Sequence, residues 1–197
     1  NRLQSATYEA TPLPAPFITH TLHNYDQDSV VNQIHYLNLD NEAGSRLKVI
    51  FLPSYLTGKD GIANLSYYDL LIGLDATAFP SYYEPWGYTP LESIAFGIPT
   101  ITTDLSGFGQ WINSRKEQGL EKSGVKVLHR GDLNFVEVSE DLADSILALS
   151  HCGKAQRAKI GQAATNVSLE AETFYRILYT SIPLGSEKSS ITKIINL

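Results

Sequence analysis

Two carboxylates, Glu84 and Glu92, stand with seven residues between them, and the segment that separates them contains Gly87 and the pair Thr89-Pro90. Thr is a favoured N-cap, Pro suits the first helical position, and a Glu three residues after the cap completes a capping box, so a helix is predicted to begin at Thr89. A glycine before a helix that follows the carboxyl end of a strand is typical of phosphate sites, because unpaired amides and the helix dipole face an anion there. These residue types therefore predict an anion-binding turn at Gly87.

The elements around this turn can be read from local signals. Residues 76–79 are mostly apolar, and Pro80 cannot donate to a sheet ladder, so a strand is predicted to end there. The loop that follows carries large aromatic rings, whereas an ordinary solvated turn carries small polar residues. Gly97 and Pro99 are predicted to end the helix. The turn at Gly87 is therefore expected to lie between a strand and a helix.

The rest of the chain repeats this alternation of strands and helices. Strands are predicted at 17–22, 47–52, 76–79, 98–102 and 125–128, with a small edge strand at 135–138. Helices are predicted between them and at 139–150, 154–166 and 168–182. Residues 47–52 are a near-continuous apolar run of the kind that is buried on both faces of a parallel sheet. The fold class predicted is α/β with a doubly wound parallel sheet.

Composition favours a single globular domain and excludes several classes of partner. The chain has 197 residues, 43% hydrophobic and 18% charged, which suffices for a core of ordinary size. A net charge of −6 argues against nucleic acid or an acidic membrane surface, because both attract an excess of Lys and Arg. No apolar stretch approaches the roughly 20 residues needed to cross a bilayer, so a soluble protein is expected.

Cysteine and histidine usage points to a chain without disulfide or metal. Cys152 is the single cysteine, which excludes an internal disulfide and a cysteine-based metal cluster, so a cytoplasmic setting is expected. The five histidines are scattered, so neither a metal site nor a cofactor is predicted. The sequence contains no methionine and so lacks an initiator, which is compatible with a fragment of a longer chain.

The segments FPSYYEPWGYTPLES and GIPTITTDLSGFG resemble the signature of glycogen synthases of the eukaryotic type, glycosyltransferase family 3. The similarity extends upstream through PFITHTLHNYDQDSVVNQIHYLNL and RLKVIFLPSYL, so it covers residues 15–113 well and the remainder weakly. Members of that family have the GT-B architecture of two facing Rossmann-like domains. The resemblance implies that residues 16–185 are the C-terminal nucleotide-sugar-binding domain, preceded by a lead-in or linker at 1–15 and followed by a polar tail at 186–197.

The resemblance also implies an activity: a retaining glucosyltransferase, acting by same-face displacement, that elongates an α-1,4-glucan from UDP-glucose. Glu84 matches one of the family's paired glutamates, and we expect it to accept hydrogen bonds from the hydroxyls of the donor sugar and to stabilise oxocarbenium-like charge. The turn at Gly87, with the amides of Tyr88 and Thr89 and the Thr89 hydroxyl, is expected to meet the charge of the departing diphosphate.

Four other side chains each have two candidate roles. Glu92 matches the glutamate that binds the ribose hydroxyls in the family, or it bonds the Thr89 amide in a capping box. Tyr67 matches the tyrosine on which the uracil ring stacks, or it packs its own helix. Trp86 either covers the sugar or seals the domain. His20 is expected to be a hydrogen-bonded structural residue and not an active-site base.

The resemblance implies partners and leaves other functions open. The partners are UDP-glucose or ADP-glucose, an α-glucan acceptor and the N-terminal domain of the same enzyme, and a homo-oligomer is compatible with the sequence. Because the family's diphosphate-gripping Arg and Lys precede this region, the chain alone is expected to bind nucleotide weakly and not to transfer glucose. The alternatives are a non-catalytic nucleotide- or glycan-binding module and a GT-B transferase with another sugar donor.

Overall fold

The structure is a computed structural model that describes residues 15–61 and 64–181, with side chains up to Phe174. The chain divides into two compact units, Asn1–Leu70 and Leu71–Leu197. The predicted tail at 186–197 and nearly all of the predicted lead-in lie outside the described residues, and the predicted domain boundaries stay predictions. Within the described ranges, no helix is long and apolar enough to cross a membrane.

In the described part of the first unit, one regular helix lies wholly within the unit. A 3-10 turn, Tyr25–Gln27, leads into helix α1, Ser29–Tyr36, and helix α2, Tyr67–Leu71, lies at the division between the units. Asp28 is the N-cap of α1, because its side chain accepts hydrogen bonds from the amides of Val30 and Val31 at 2.9 and 3.0 Å.

The two strands predicted in the first unit, at 17–22 and 47–52, are wrong as regular strands. They are reduced to one isolated parallel bridge between Ile18 and Phe51. The Asn41 side chain accepts a hydrogen bond from the Val49 amide at 2.7 Å and donates one to the Val49 carbonyl at 2.6 Å. These are backbone groups that a continuing ladder would need, so the side chain ends the pairing. Burial of 47–52 on both faces is also wrong, since Ile50 is exposed.

The second unit is built on a three-stranded parallel sheet. The strands are β1, Thr77–Phe79; β2, Thr100–Thr103; and β3, Val125–Leu128, and their order in the sheet is β1-β2-β3. Thr77 is opposite Thr100, and Thr100 is opposite Val125. The helices are α3, Tyr88–Ala95; α4, Gly107–Ser114; α5, Leu120–Ser123; α6, Phe135–His151; and α7, Lys154–Ser181. Since the strands are parallel, their carboxyl ends meet at one edge of the sheet.

Both faces of this sheet are covered. Successive strand residues point to opposite faces, so the two sets of strand side chains enter two different cores. The first core joins β3 to α3, α4 and α7 through Ile94, Phe108, Ile112, Val125, Ala164, Val167 and Ala171. The second joins β2 and β3 to α6 and α7 through Ile101, Leu128, Val138, Leu149 and Ile160. This covered parallel sheet confirms the predicted α/β, Rossmann-like fold class.

Two predictions about the C-terminal helices are wrong. Residues 135–138 form the first turn of α6 and not an edge strand, because Val138 is buried against Ile101 and Leu128. Residues 154–181 form one helix where two were predicted. At the predicted break, Val167 and Ser168 are buried, so packing continues through it.

Buried hydroxyl groups fix α3 to the sheet. Thr77 Oγ1 lies 2.7 Å from Ser93 Oγ and 3.0 Å from Thr100 Oγ1, and Thr100 Oγ1 lies 2.9 Å from Ser93 Oγ. Thr100 Oγ1 also donates to the Ile98 carbonyl at 3.0 Å. Buried hydroxyls that satisfy one another have defined positions, so this network sets the height of α3 relative to β1 and β2.

Helix α7 approaches α3 and α5 closely at small residues. A Cβ on Gly161 would lie 2.6 Å from the Gly97 carbonyl oxygen, and a Cβ on Gly124 would lie 2.4 Å from the Ala164 Cβ. Gly97 follows the C-cap of α3 with φ of 73°, as the sequence predicted for the helix end. Arg115, after α4, contacts Glu170 of α7 at 2.5 Å, and this hydrogen bond lowers the pKa of the Glu170 carboxyl.

Replacing Gly161 by Ala tests the close approach of α7 to α3. In an open helix, Gly→Ala stabilises by about 1 kcal/mol. Here the added methyl meets the Gly97 carbonyl, so we expect a destabilisation of about 1–3 kcal/mol in urea unfolding of the protein. Gly153→Ala is the control, because nothing lies within 4 Å of its Cβ position. A stabilised Gly161→Ala variant would contradict the contact.

Candidate functional site

The loop after β1 is paired with the turn after β2. The Glu84 amide donates to the Leu105 carbonyl at 3.3 Å, and the Gly107 amide donates to the Glu84 carbonyl at 3.3 Å. The Phe108 amide donates to the Trp86 carbonyl at 2.7 Å. These bonds form an isolated parallel bridge between Glu84 and Ser106. The aromatic loop therefore has a fixed position at the carboxyl edge of the sheet, although it contains no regular secondary structure.

Gly107 allows this pairing. A Cβ at that position would lie 2.5 Å from the Pro85 carbonyl oxygen and 3.2 Å from the Trp86 ring. Real Cβ atoms do not approach a carbonyl oxygen so closely, and the backbone oxygen cannot rotate away as a side-chain atom could. The close partner that requires a residue without a side chain here is the loop before α3.

Gly87 and Glu84 are in contact. Gly87 has φ of 104° and ψ of 74°, a left-handed conformation that favours glycine. A Cβ on Gly87 would lie 3.0 Å from Glu84 Oε2 and 3.5 Å from the Ser106 Cβ. The Glu84 carboxylate therefore folds back over the turn that begins α3. A carboxylate near a helix N-terminus is also favoured by the helix dipole.

One oxygen of Glu84 has no hydrogen-bond donor. Oε2 is buried, and among the described residues no polar group bonds it. Burying a carboxylate oxygen without a donor is unfavourable, so such an atom in a folded protein calls for an explanation, and a functional role is one. A ligand hydroxyl is a donor of the kind that this oxygen lacks.

The start of α3 differs from the prediction. The N-cap is Gly87, and Tyr88 is the first helical residue, so Thr89 is the second and not the cap. The capping box between Thr89 and Glu92 is therefore wrong, because a Thr inside the helix does not have the extended backbone of an N-cap. The left-handed turn at Gly87 starts the helix earlier than the Thr-Pro signal indicates. Pro90 is buried as the third helical residue.

The predicted nucleotide-sugar ligands of the second unit lie on or beside the first turns of α3. Tyr88 and Glu92 are four residues apart in this helix and so share one face. Tyr88 is 40% exposed, and Glu92 and Thr89 are half-buried. The structure thus brings Glu84, Gly87, Tyr88 and Thr89 together at one helix end, with Glu92 one turn further on.

Trp86 belongs to a group of packed aromatic rings. Its ring lies 6.2 Å from Phe108, 6.5 Å from Trp111 and 6.1 Å from Phe174, stacked on the last. The indole is part of the first core, between α4 and α7. This packing favours the role in which Trp86 seals the domain, and a contact with the sugar stays a prediction.

Two residues of the first unit were singled out by sequence. Tyr67 begins α2, and its ring lies 5.3 Å from that of Tyr68 in an edge-on arrangement. Its stacking on a base stays a prediction. His20 is hydrogen-bonded through both ring nitrogens, to Thr19 Oγ1 at 2.8 Å and to the Asp60 carbonyl at 3.1 Å. The prediction that His20 is hydrogen-bonded is confirmed, and its structural role stays a prediction.

A second group of polar side chains at the same sheet edge was missed. Asp104 directly follows β2, and His129 and Arg130 directly follow β3. The sequence contained a signal for this group, because polar residues that directly follow predicted parallel strands are expected to lie at one edge of the sheet. Of the residues that the structure describes, no group of three or more His, Cys, Asp or Glu side chains could hold a metal ion.

A parallel sheet covered on both faces, with a glycine turn and a helix N-terminus at its carboxyl edge, defines a Rossmann-like α/β domain. The sequence pattern of the family described as glycogen synthase matches residues 4–179. The chain is 37% identical over 148 residues to glycogen [starch] synthase isoform 1 of Saccharomyces cerevisiae, covering 75% of this chain and 21% of that protein.

Other relatives agree with this match. The chain is 35% identical to the glycogen [starch] synthase of Caenorhabditis elegans over 79% of its length, and 23% of that protein is covered. It is 30% identical to the glycogen [starch] synthase of Dictyostelium discoideum over 92% of its length, with 21% of that protein covered. The chain belongs to the glycogen synthase family, and it spans about a fifth of the length of these relatives.

Replacing Gly107 by Ala tests the pairing of the two loops. The new Cβ meets the Pro85 carbonyl, so we expect the loop to be displaced and the free energy of unfolding to fall by about 1–3 kcal/mol. Gly131→Ala is the matched control, because its nearest neighbour would be Asn134 Oδ1 at 3.8 Å. Equal stability of the two variants in urea unfolding would show that the loops are not held together as described.

Proposed function

We propose that this chain is the nucleotide-sugar-binding half of a retaining glucosyltransferase that elongates an α-1,4-glucan from UDP-glucose. The observation that carries the proposal is the buried Glu84 oxygen without a donor, folded over Gly87 at the start of α3. A sugar hydroxyl would supply the missing donor, and a diphosphate would meet the helix N-terminus beside it. Membership of the glycogen synthase family supports the choice of substrate class.

The reaction needs charge stabilisation at two points. The bond between the anomeric carbon and the diphosphate oxygen breaks, and a bond to the acceptor hydroxyl oxygen forms on the same face of the sugar. The acceptor proton passes to the departing phosphate oxygen. We assign Glu84 to the positive charge that develops on the sugar, and the amides of Tyr88 and Thr89 with the Thr89 hydroxyl to the negative charge of the leaving group.

We assign the nucleoside part of the donor to Glu92 and Tyr67. Glu92 is the proposed ligand of the ribose hydroxyls, because the two oxygens of a carboxylate can accept hydrogen bonds from two hydroxyls. Tyr67 is the proposed stacking partner of the base, since stacking requires only an aromatic face. Stacking alone does not distinguish uracil from adenine, so UDP-glucose is proposed on family membership and ADP-glucose is the competing donor.

The remaining parts of the proposal concern the larger enzyme. Because the chain spans about a fifth of its relatives, we propose that a further domain of the same protein supplies the other ligands of the diphosphate and much of the acceptor site. The proposed acceptor is an α-glucan chain end. A cytoplasmic enzyme is proposed, as expected from the single cysteine.

Replacing Glu84 in the full-length enzyme tests the catalytic assignment. We expect Glu84→Ala and Glu84→Gln to lower kcat for glucosyl transfer by about 100-fold or more, because one fixed electrostatic partner of the transition state is lost. UDP affinity should change little, since the diphosphate is held by backbone amides. Glu117→Gln, an exposed carboxylate in the loop after α4, is the control and should keep full turnover.

Binding and turnover measurements on the full-length enzyme also separate the competing functions. Titration of UDP, ADP and their glucose conjugates into the unmodified enzyme identifies the donor, and a preference for another sugar nucleotide would indicate a different GT-B transferase. Nucleotide or glycan binding without turnover would indicate a non-catalytic module. Unchanged turnover in Glu84→Ala would overturn the assignment of this residue.

The 197-residue chain on its own is expected to bind UDP weakly and to leave glycogen chains at their starting length. The reason is that the proposed diphosphate ligands of the other domain are missing, so only the turn at Gly87 remains. Calorimetry with UDP and a radiolabelled glucose incorporation assay check the two statements. Measurable elongation by this chain would contradict the proposal that the other domain is needed.

A further inference from the structure

The polar group formed by Asp104, His129 and Arg130 has no part in the chemistry proposed above, and its contacts converge on the Asp104 carboxylate. Asp104 Oδ1 accepts a hydrogen bond from the Arg130 amide at 2.9 Å, and Asp104 Oδ2 lies 2.6 Å from His129 Nδ1. The Asp104 amide donates to the Leu128 carbonyl at 3.0 Å. Asp104 therefore fixes the direction in which the chain leaves β3, and with it the starting point of the Arg130 side chain.

The Arg130 side chain reaches from β3 to the loop after β1. Its Nη1 donates a hydrogen bond to the Pro80 carbonyl, and its Cζ lies 3.6 Å from the centroid of the Tyr82 ring. Beside it, Thr103 Oγ1 donates to the Ser81 carbonyl at 2.8 Å. The first residues of the loop thus depend on side chains from the other two strands.

Burial does not hold this part of the loop. Tyr82 is 62% exposed and Tyr83 is 77% exposed, so neither ring is fixed by a core. On the far side of Tyr83, the loop is held by the Glu84–Ser106 bridge. The bridge fixes the backbone of Glu84, but Tyr82 and Tyr83 before it bury little surface that would fix the path of the chain into Glu84. That path influences the direction in which the Glu84 side chain points.

We propose that Arg130 is a positioning residue that holds the loop from Pro80 to Tyr82 and so keeps the Glu84 carboxylate in place over Gly87. This inference rests on the proposed function, in which Glu84 faces the donor sugar. Arginine suits the task because its planar guanidinium can lie on an aromatic face and donate a hydrogen bond at its edge at the same time. A lysine carries the same charge but has no planar group that could lie on the ring.

The test uses the full-length enzyme with Arg130→Ala and Arg130→Lys. A carboxylate displaced by about 1 Å can cost up to 100-fold in rate, so we expect both variants to lower kcat for glucosyl transfer by about 10-fold or more. The Kd for UDP should stay within about twofold of the unmodified value, because the turn at Gly87 is held by the bridge to Ser106. Lys126→Ala is the control. It removes a cation of β3 whose Nζ lies 3.9 Å from Asp141 of α6, and it should leave kcat and the Kd for UDP unchanged.

Tyr82 provides a second, independent measurement. If Arg130 acts through the Tyr82 ring, Tyr82→Leu should lower kcat in the same way, and the double variant should be no slower than the slower single variant. Thermal unfolding of each variant identifies any loss of folding, and Tyr82→Leu keeps the test usable if an Arg130 variant does not fold.

Three results would overturn the inference: full turnover in Arg130→Lys, a loss of UDP affinity in Arg130→Ala as large as its loss of kcat, or additive effects of the Arg130 and Tyr82 substitutions. The first two would make Arg130 a source of charge and not of loop geometry. Failure of the proposed function is seen separately, because the unmodified enzyme would then not bind UDP or Glu84→Ala would keep full turnover.

Discussion

The backbone pairing between the loop after β1 and the turn after β2 is the interaction on which the candidate site depends. It consists of a few hydrogen bonds around Glu84 and Ser106, and it is possible only because Gly107 has no side chain. Without it, the aromatic loop would keep only side-chain contacts, such as the packing of Trp86 against the first core. The pairing places Glu84 and the start of α3 against the same turn, so the carboxylate and the helix N-terminus become one site.

The rest of the second unit holds the helix that this site uses. Hydrogen bonds among the hydroxyls of Thr77, Ser93 and Thr100 join α3 to β1 and β2. Helix α7 contacts the end of α3, where Gly161 lies against Gly97. Polar contacts with defined geometry and a contact between glycines both allow little sliding, so the N-terminus of α3 has a set position relative to the strand ends.

The parts of the structure that the sequence predicted are those with strong local signals. Pro80 and Gly97 marked the ends of elements correctly, because their backbone preferences act on their own residues. The parts that it did not predict depend on distant partners: Asn41 ends the strand pairing at Val49, and packing against α3 and α5 carries α7 through its predicted break. The site residues near α3 were predicted as a group, whereas Arg130 was not, since its contact with Tyr82 spans the whole sheet.

Pro90 narrows what the start of α3 can recognise. A proline has no amide hydrogen, so the third residue of this helix contributes no hydrogen-bond donor. Of the first three residues of α3, only Tyr88 and Thr89 therefore have a backbone amide that the proposed diphosphate could use.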